Sequence, residues 1–90
     1  MIEGMTNDGP LEWSVYILRC GDGSLYTGIA KDVAARLSKH SLGKGAAYTR
    51  SRGPLQLLYT EPHLTRRQAL MREAKLKQLP KAAKEKLVAS

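Results

Sequence analysis

The chain has 90 residues, a formal net charge of +7 and a single cysteine. This length predicts one small domain and excludes a two-domain enzyme, and one cysteine excludes an internal disulfide. No apolar run reaches the roughly 18–20 residues needed to span a bilayer, so we expect a cytoplasmic protein with no membrane association.

Charge is distributed unevenly along the chain. Residues 1–30 carry a net charge of −3, whereas residues 31–60 and 61–90 each carry +5. A cationic surface of this extent favours a polyanionic partner, because neutralising phosphates releases condensed counterions and drives association. Nucleic acid is therefore the expected partner. A solvated basic surface and an anionic membrane surface are the less favoured alternatives.

The first predicted elements form a hairpin. Residues 1–11 are typical of a flexible leader, and residues 12–90 of a single domain. The β-branched and aromatic run Trp13–Cys20 predicts a strand. An Asp-Gly turn separates it from a second short strand over Leu25–Ala30.

A helix and a third strand follow the hairpin. Asp32 is the expected N-cap of a helix over Val33–Leu42, with a glycine as its stop. Residues Gly43–Pro54 form a glycine-rich, basic loop. The run Leu55–Tyr59 predicts the third strand.

Two helices complete the chain. Thr65 and Gln68 have the spacing of a capping box, which opens a helix that extends to about Leu79. Pro80 then starts a last short helix, where proline is tolerated at the first position. The predicted order is β-β-α-β-α-α, that of a mixed domain of sheet and helices.

Two tyrosines lie on the predicted hairpin. Because strand side chains alternate between faces, Tyr16 shares a face with Ser14 and Leu18. Tyr26 is followed closely by Gly28, and a glycine in a strand allows close approach of backbone or ligand. Taken alone, strand tyrosines more often pack as half-buried residues than catalyse.

The first helix places a cation and a histidine on one face. Arg36 and His40 are four residues apart, which makes them neighbours on the helix surface. An arginine beside a histidine suits an anionic phosphate. The alternative is a solvated basic face with a surface histidine.

One carboxylate lies at an apolar position. The helical spacing puts Glu73 on the same face as Ala69, Leu70 and Leu76. A buried carboxylate is costly unless it is paired or binds a metal. Two interpretations stay open, an ion pair with a cation such as Arg36 and a ligand to a hard ion such as Mg²⁺ or Mn²⁺.

The loop and the cysteine carry weaker signals. The loop lacks the Walker pattern, which excludes a nucleotide triphosphatase, but Lys44, Arg50 and Arg52 are positioned to touch a phosphate backbone. With no second cysteine and only two histidines, a zinc site is disfavoured. Cys20 is therefore expected to be a small buried or edge residue.

Taken together, these residues resemble the GIY-YIG nuclease family. Residues Ser14–Tyr16 (SVY) and Tyr26–Gly28 (YTG) are similar to the paired tripeptides that name it, with Ser and Val in place of the first Gly and Ile. Arg36, His40 and Glu73 then follow in the family's order. The resemblance covers roughly residues 13–87 and is closest to the small stand-alone bacterial members.

The resemblance implies a fold, a reaction and roles for individual residues. The fold is α+β, a small three-stranded antiparallel sheet flanked by helices. The reaction is phosphodiester hydrolysis with one divalent ion, Mg²⁺ or Mn²⁺, held by Glu73. Tyr16 and Tyr26 match the two active-site tyrosines, of which one helps to deprotonate the attacking water. Arg36 matches the arginine that stabilises the phosphate, and His40 a histidine often found one turn later.

The expected function is a metal-dependent endonuclease of low sequence specificity that acts on DNA, including branched or single-stranded forms. Many members have a lysine at the position that Ile29 occupies here, and this chain has Lys31 two positions later. Lys31, Lys44, Arg50 and Arg52 are the expected nucleic-acid contacts. The alternatives are a catalytically weak or inactive nucleic-acid-binding module of the same fold and a protein adaptor. Monomer and weak dimer both stay open.

Overall fold

Three strands and three helices make up the chain in the computed structural model, which describes residues 9–89. The elements are β1 Trp13–Arg19, β2 Leu25–Ala30, α1 Val33–Ser41, β3 Gln56–Leu64, α2 Arg66–Gln78 and α3 Lys81–Ala89. This order, β-β-α-β-α-α, confirms the predicted one. Most of the expected leader, residues 1–8, lies outside the described residues. No described helix is long and apolar enough to cross a membrane.

The sheet is antiparallel throughout, with the strand order β2-β1-β3. The predicted three-stranded antiparallel sheet is therefore confirmed. The central strand β1 is the most buried element, because it has a neighbour on each side and helices cover it. Its register with β2 places Tyr16 opposite Gly28 and Leu18 opposite Tyr26. Both motif tyrosines therefore lie on one face of the hairpin.

The alternation of β1 divides the core into two clusters. Val15 and Ile17 pack against Leu76 of α2, together with apolar side chains of α3. Tyr16 and Leu18 pack on the other side, where partly buried residues of α1 join them. The sheet therefore separates a largely apolar core, against which the partly buried Tyr59 packs, from a face that carries Tyr16 and Tyr26.

Local capping fixes where the helices begin. The Oδ1 atom of Asp32 accepts a hydrogen bond from the backbone N–H of Ala35 at 3.0 Å. In α2 the Thr65 hydroxyl accepts from the Gln68 N–H at 3.0 Å, and the Gln68 amide oxygen accepts from the Thr65 N–H at 2.9 Å. The predicted N-cap and capping box are both confirmed.

Strand β3 is longer than the sequence predicts. The prediction over Leu55–Tyr59 was too short, since β3 extends to Leu64 through Pro62. Proline lacks a ladder donor, but an edge strand tolerates it, and β3 pairs with β1 alone in the described sheet. His63 has a φ of 65°, and the pairing of β1 with β3 shifts register at this point, as in a β-bulge.

We expect the apolar core on the α2 side to dominate stability. Leu76 is 1% exposed, whereas Leu42 at the end of α1 is 72% exposed. Leu76→Ala should lower the free energy of unfolding by about 2–5 kcal/mol, because it removes buried methyl groups and leaves a cavity. Leu42→Ala should change it by less than about 0.5 kcal/mol. Urea denaturation measures both, and equal midpoints for the two variants would contradict this packing.

Candidate active site

A chain of hydrogen bonds links β1, α1 and the loop that follows α1. Tyr16 Oη lies 3.0 Å from His40 Nε2, and His40 Nδ1 lies 2.7 Å from Thr49 Oγ1. All three side chains are almost completely buried. His40 is therefore a buried, hydrogen-bonded group, and the interpretation of a surface histidine is wrong.

The geometry around Thr49 determines which nitrogen of His40 carries the proton. The Thr49 hydroxyl donates its single hydrogen to the Ala46 carbonyl at 3.0 Å. The hydroxyl oxygen therefore accepts from His40, which requires a hydrogen on Nδ1. In neutral His40 the other nitrogen, Nε2, is then an acceptor, and Tyr16 donates its O–H to it. The chain is aligned to take a proton away from Tyr16.

Burial shifts the pKa of Tyr16 and the pKa of His40 in the direction that keeps each side chain uncharged. Burial of Tyr16, together with the nearby Tyr26, raises the pKa of the Tyr16 phenol to about 12, against an opposing effect of Arg36. Burial also lowers the pKa of His40 below its usual 6.5, and the positive charge of Arg36 adds to this. At neutral pH the pair is a neutral phenol donating to a neutral imidazole.

The second motif tyrosine belongs to the same aromatic cluster. The Tyr26 ring centroid lies 5.3 Å from that of His40 and 6.4 Å from that of Tyr16. Tyr48, from the loop after α1, lies against the outer side of Tyr26 at 5.9 Å. The structure therefore brings Tyr16, Tyr26 and His40 together, and their catalytic roles stay predictions.

Two glycines make room for this cluster. A Cβ atom at Gly28 would lie 2.6 Å from the Tyr16 hydroxyl oxygen, and a Cβ at Gly45 would overlap the His40 ring. Any larger residue at either position must displace one of the two hydrogen-bonding groups. The Tyr-Thr-Gly tripeptide thus requires its glycine because the Tyr16 side chain crosses the backbone there.

An open, basic cavity of about 240 Å³ lies beside this cluster. Its lining includes Tyr26 and His40 together with three cations, Arg36, Lys39 and Lys44. Arg36 is close enough for its charge to lower the pKa of both Tyr16 and His40. The cavity therefore combines a proton acceptor with positive charge, as an anionic substrate requires.

Glu73 extends from α2 toward the same site. Its negative charge raises the pKa of Tyr16, and its side chain is only 19% exposed. Its ion-pair partner is Lys77 at 3.4 Å rather than Arg36. The expected apolar face was partly wrong, since Leu70 is 38% exposed while Ala69 and Leu76 are buried. The carboxylate thus lies at the border between core and solvent.

The remaining predicted nucleic-acid contacts have different environments. Lys44 lines the basic cavity, and Arg50 lines a second cavity on another side of His40. Lys31 pairs with Glu12 at 3.1 Å. The Arg52 side chain is partly exposed, and its guanidinium pairs with Asp22 at 3.0 Å and donates to the Tyr48 carbonyl at 2.8 Å.

Known proteins resemble this chain over most of its length. The sequence profile described as the GIY-YIG catalytic domain matches residues 12–86. The chain belongs to the GIY-YIG family. It is 51% identical over 74 residues to a UPF0213 protein of Staphylococcus epidermidis, covering 82% of this chain and 90% of that protein. A UPF0213 protein of Staphylococcus aureus is 50% identical over the same shares.

A solved structure of the family has the same fold. The solution NMR structure of a UPF0213 protein from Bacillus halodurans superposes with a TM-score of 0.55. It is 47% identical in sequence and covers 86% of this chain and 82% of that one. The family and the nuclease-like fold are therefore shown.

Sequence reasoning missed three parts of this GIY-YIG site. Thr49 and Gly45 carry no local signature, because each acquires its position only when the loop folds back over α1. Lys39 lies on α1 but was not distinguished there from the other basic residues. The close spacing of glycines in Gly43–Pro54 was the one available signal. It indicates close backbone approach, but it does not specify which side chain is approached.

The tautomer of His40 can be tested directly. Thr49→Val removes the acceptor for the Nδ1–H and leaves a buried donor unpaired, which should cost about 1–3 kcal/mol of unfolding free energy. The fraction of His40 with its proton on Nε2 should rise, as read from imidazole ¹⁵N shifts. Thr49→Ser keeps the hydroxyl and should preserve the Nδ1–H form. A wild-type protein with the proton on Nε2 would contradict the assigned direction of the chain.

Proposed function

We propose that this GIY-YIG domain is a divalent-metal-dependent endonuclease that hydrolyses phosphodiester bonds in DNA. The observation that carries the proposal is the hydrogen-bonded chain from Tyr16 through His40 to Thr49 beside a basic cavity. A tyrosine that only packs needs no hydrogen bond to a buried histidine held in one tautomer. A tyrosine that transfers a proton needs such an acceptor.

The proposed proton path begins at the attacking water. With a pKa of about 12, Tyr16 is a phenol rather than a phenolate at neutral pH. It can accept a proton from water only as it gives its own to His40 Nε2. The products of this step are a nucleophilic hydroxide equivalent, a neutral phenol and an imidazolium whose Nδ1–H still donates to Thr49. Tyr16 thus relays the proton and His40 is the base.

The basic side chains of the cavity would bind the scissile phosphate. Arg36 offers a planar fork that suits two phosphate oxygens, and Lys39 and Lys44 add positive charge at the same cavity. Phosphate contacts of this kind position a nucleic acid without reading its bases. This supports cleavage of low sequence specificity.

Glu73 would hold the metal ion. No group of three or more potential metal-ligating side chains occurs within residues 9–89, which disfavours a closed, all-protein site. A single, partly exposed carboxylate fits Mg²⁺ or Mn²⁺, because such hard ions bind through one or two carboxylates and retain several waters. When bound, the ion would neutralise charge on the leaving oxygen or lower the pKa of a water.

A nucleic-acid-binding module without turnover is the second candidate. It is favoured by the ion pair between Glu73 and Lys77, which supplies the carboxylate with a cation of the protein's own. A module of this kind would still bind phosphates through the basic cavity. Six such contacts would lower its affinity about a thousandfold between 50 and 200 mM salt.

Cleavage of a labelled branched DNA tests the proposal. Wild-type protein should cut with Mg²⁺ or Mn²⁺ and lose activity in chelator. Glu73→Gln should lower the rate by at least about 100-fold, while Glu85→Gln, a matched loss of a carboxylate on α3, should retain it. Equal rates for the two variants would contradict the assigned metal ligand. Salt-sensitive binding without any cleavage would support the second candidate.

A further inference from the structure

Trp13 lies at the end of β1 in a basic environment. Its ring is half-buried, and Lys31 Nζ and Arg66 Cζ each lie 5.7 Å from the ring centroid. The Lys31 side chain is 60% exposed in its pair with Glu12. Exposed pairs of this kind contribute little, so a phosphate could replace the carboxylate.

A bulge in β3 lies opposite the start of β1, where Trp13 stands. Trp13 lines a cavity with residues of α1 and the turn before it. The shift in register between β1 and β3 falls between Trp13 and Val15, opposite His63 with its φ of 65°. Bulges bend a strand and re-aim side chains.

The Trp13 cavity continues the proposed catalytic cavity. Its volume is about 290 Å³, and it shares Arg36 and Lys39 with the cavity that contains Tyr26 and His40. These two cations therefore stand between an aromatic ring on one side and the proton relay on the other. A basic groove with an aromatic platform is the arrangement that binds unpaired nucleotides.

We infer that Trp13 stacks on an unpaired base of the DNA strand that leaves the catalytic cavity along α1, so that the preferred substrate has single-stranded nucleotides next to the scissile phosphate. This inference rests on the proposed nuclease function, whose site it extends. A base inside a duplex is already stacked on both faces and could reach Trp13 only after unpairing. Single-stranded flanks should therefore be favoured over plain duplex.

Fluorescence gives a direct test, because Trp13 is the only tryptophan in the chain. The probe is an oligothymidine, titrated into wild-type protein in chelator so that no cleavage occurs. We expect quenching by the single strand at lower concentration than by a duplex of equal length. Absence of quenching at concentrations where a labelled strand is fully bound would overturn the inference, and this result needs no variant.

Affinity measurements with variants make the test quantitative. Trp13→Ala should weaken binding of the single strand by about 5- to 100-fold and change binding of the duplex less than twofold. Met71→Ala, an exposed residue of α2 outside both cavities, is the matched control and should change neither. Equal losses for both DNA forms would overturn the preference. If Trp13→Ala cleaves duplex DNA at the wild-type rate and the single strand does not quench wild-type fluorescence, only this inference is refuted. If the single strand quenches the fluorescence but no DNA is cleaved, the proposed nuclease function is refuted.

Discussion

Replacing Tyr16 with phenylalanine is expected to lower the rate of phosphodiester cleavage by about 10²–10⁴-fold, the range that positioned proton transfer contributes. The substitution keeps the ring in the core and removes the hydroxyl that donates to His40 Nε2. The protein should still fold, because only one buried acceptor, His40 Nε2, loses its partner, at a cost of about 1–3 kcal/mol. Single-turnover cleavage in saturating Mg²⁺ measures the effect.

Tyr59→Phe is the matched control for this experiment. The Tyr59 hydroxyl bonds to Glu61 on β3, outside the basic cavity, so its loss should leave the cleavage rate within about twofold. A Tyr16→Phe protein with wild-type rate would contradict the relay. Loss in Tyr26→Phe alone would instead assign the proton transfer to the second tyrosine of the cluster.

Removing the guanidinium of Arg36 is expected to lower the rate by about 10²–10³-fold. Arg36 is the cation of the cavity whose charge acts on both Tyr16 and His40, and preorganised positive charge at a developing oxyanion has an effect of this size. Arg36→Lys should restore only part of the rate, because an ammonium lacks the planar fork that binds two phosphate oxygens.

The control for Arg36 is Lys84→Ala, which removes one positive charge from α3, outside the cavity. It should reduce binding slightly at low salt and leave the rate at saturating DNA unchanged. If Arg36→Ala and Lys84→Ala had equal effects on that rate, Arg36 would act only through the overall charge of the protein. Assays at two salt concentrations separate binding from the chemical step.

The sequence predicts most of the fold because its signals are local. The hairpin turn, the N-cap Asp32 and the capping box at Thr65 each depend on residues within four positions, and all are found where predicted. The second half of β3 was missed because Pro62 is unusual in a strand. Only pairing with β1, which no local pattern reveals, makes that segment extended.

The candidate site was predictable only in part, for a related reason. Arg36 and His40 share a face because helices repeat, whereas Tyr16 and Tyr26 share one because of the register between β1 and β2. Their contacts across elements follow from the family's order of motifs rather than from spacing. Thr49 could not be predicted, because its role depends on the loop folding back onto the His40 ring.

The pH dependence of cleavage tests most directly the central claim that neutral His40 accepts the proton of Tyr16. Because burial and Arg36 lower the pKa of His40 below 6.5, the wild-type rate should stay constant down to about pH 6.5 and fall only below it, as the imidazole becomes protonated. The folded state binds fewer protons than the unfolded state there, so the free energy of unfolding should fall over the same range. His40→Gln should lose this acid limb together with most of the rate. An acid limb above pH 6.5, or an unchanged pH profile in His40→Gln, would contradict the account.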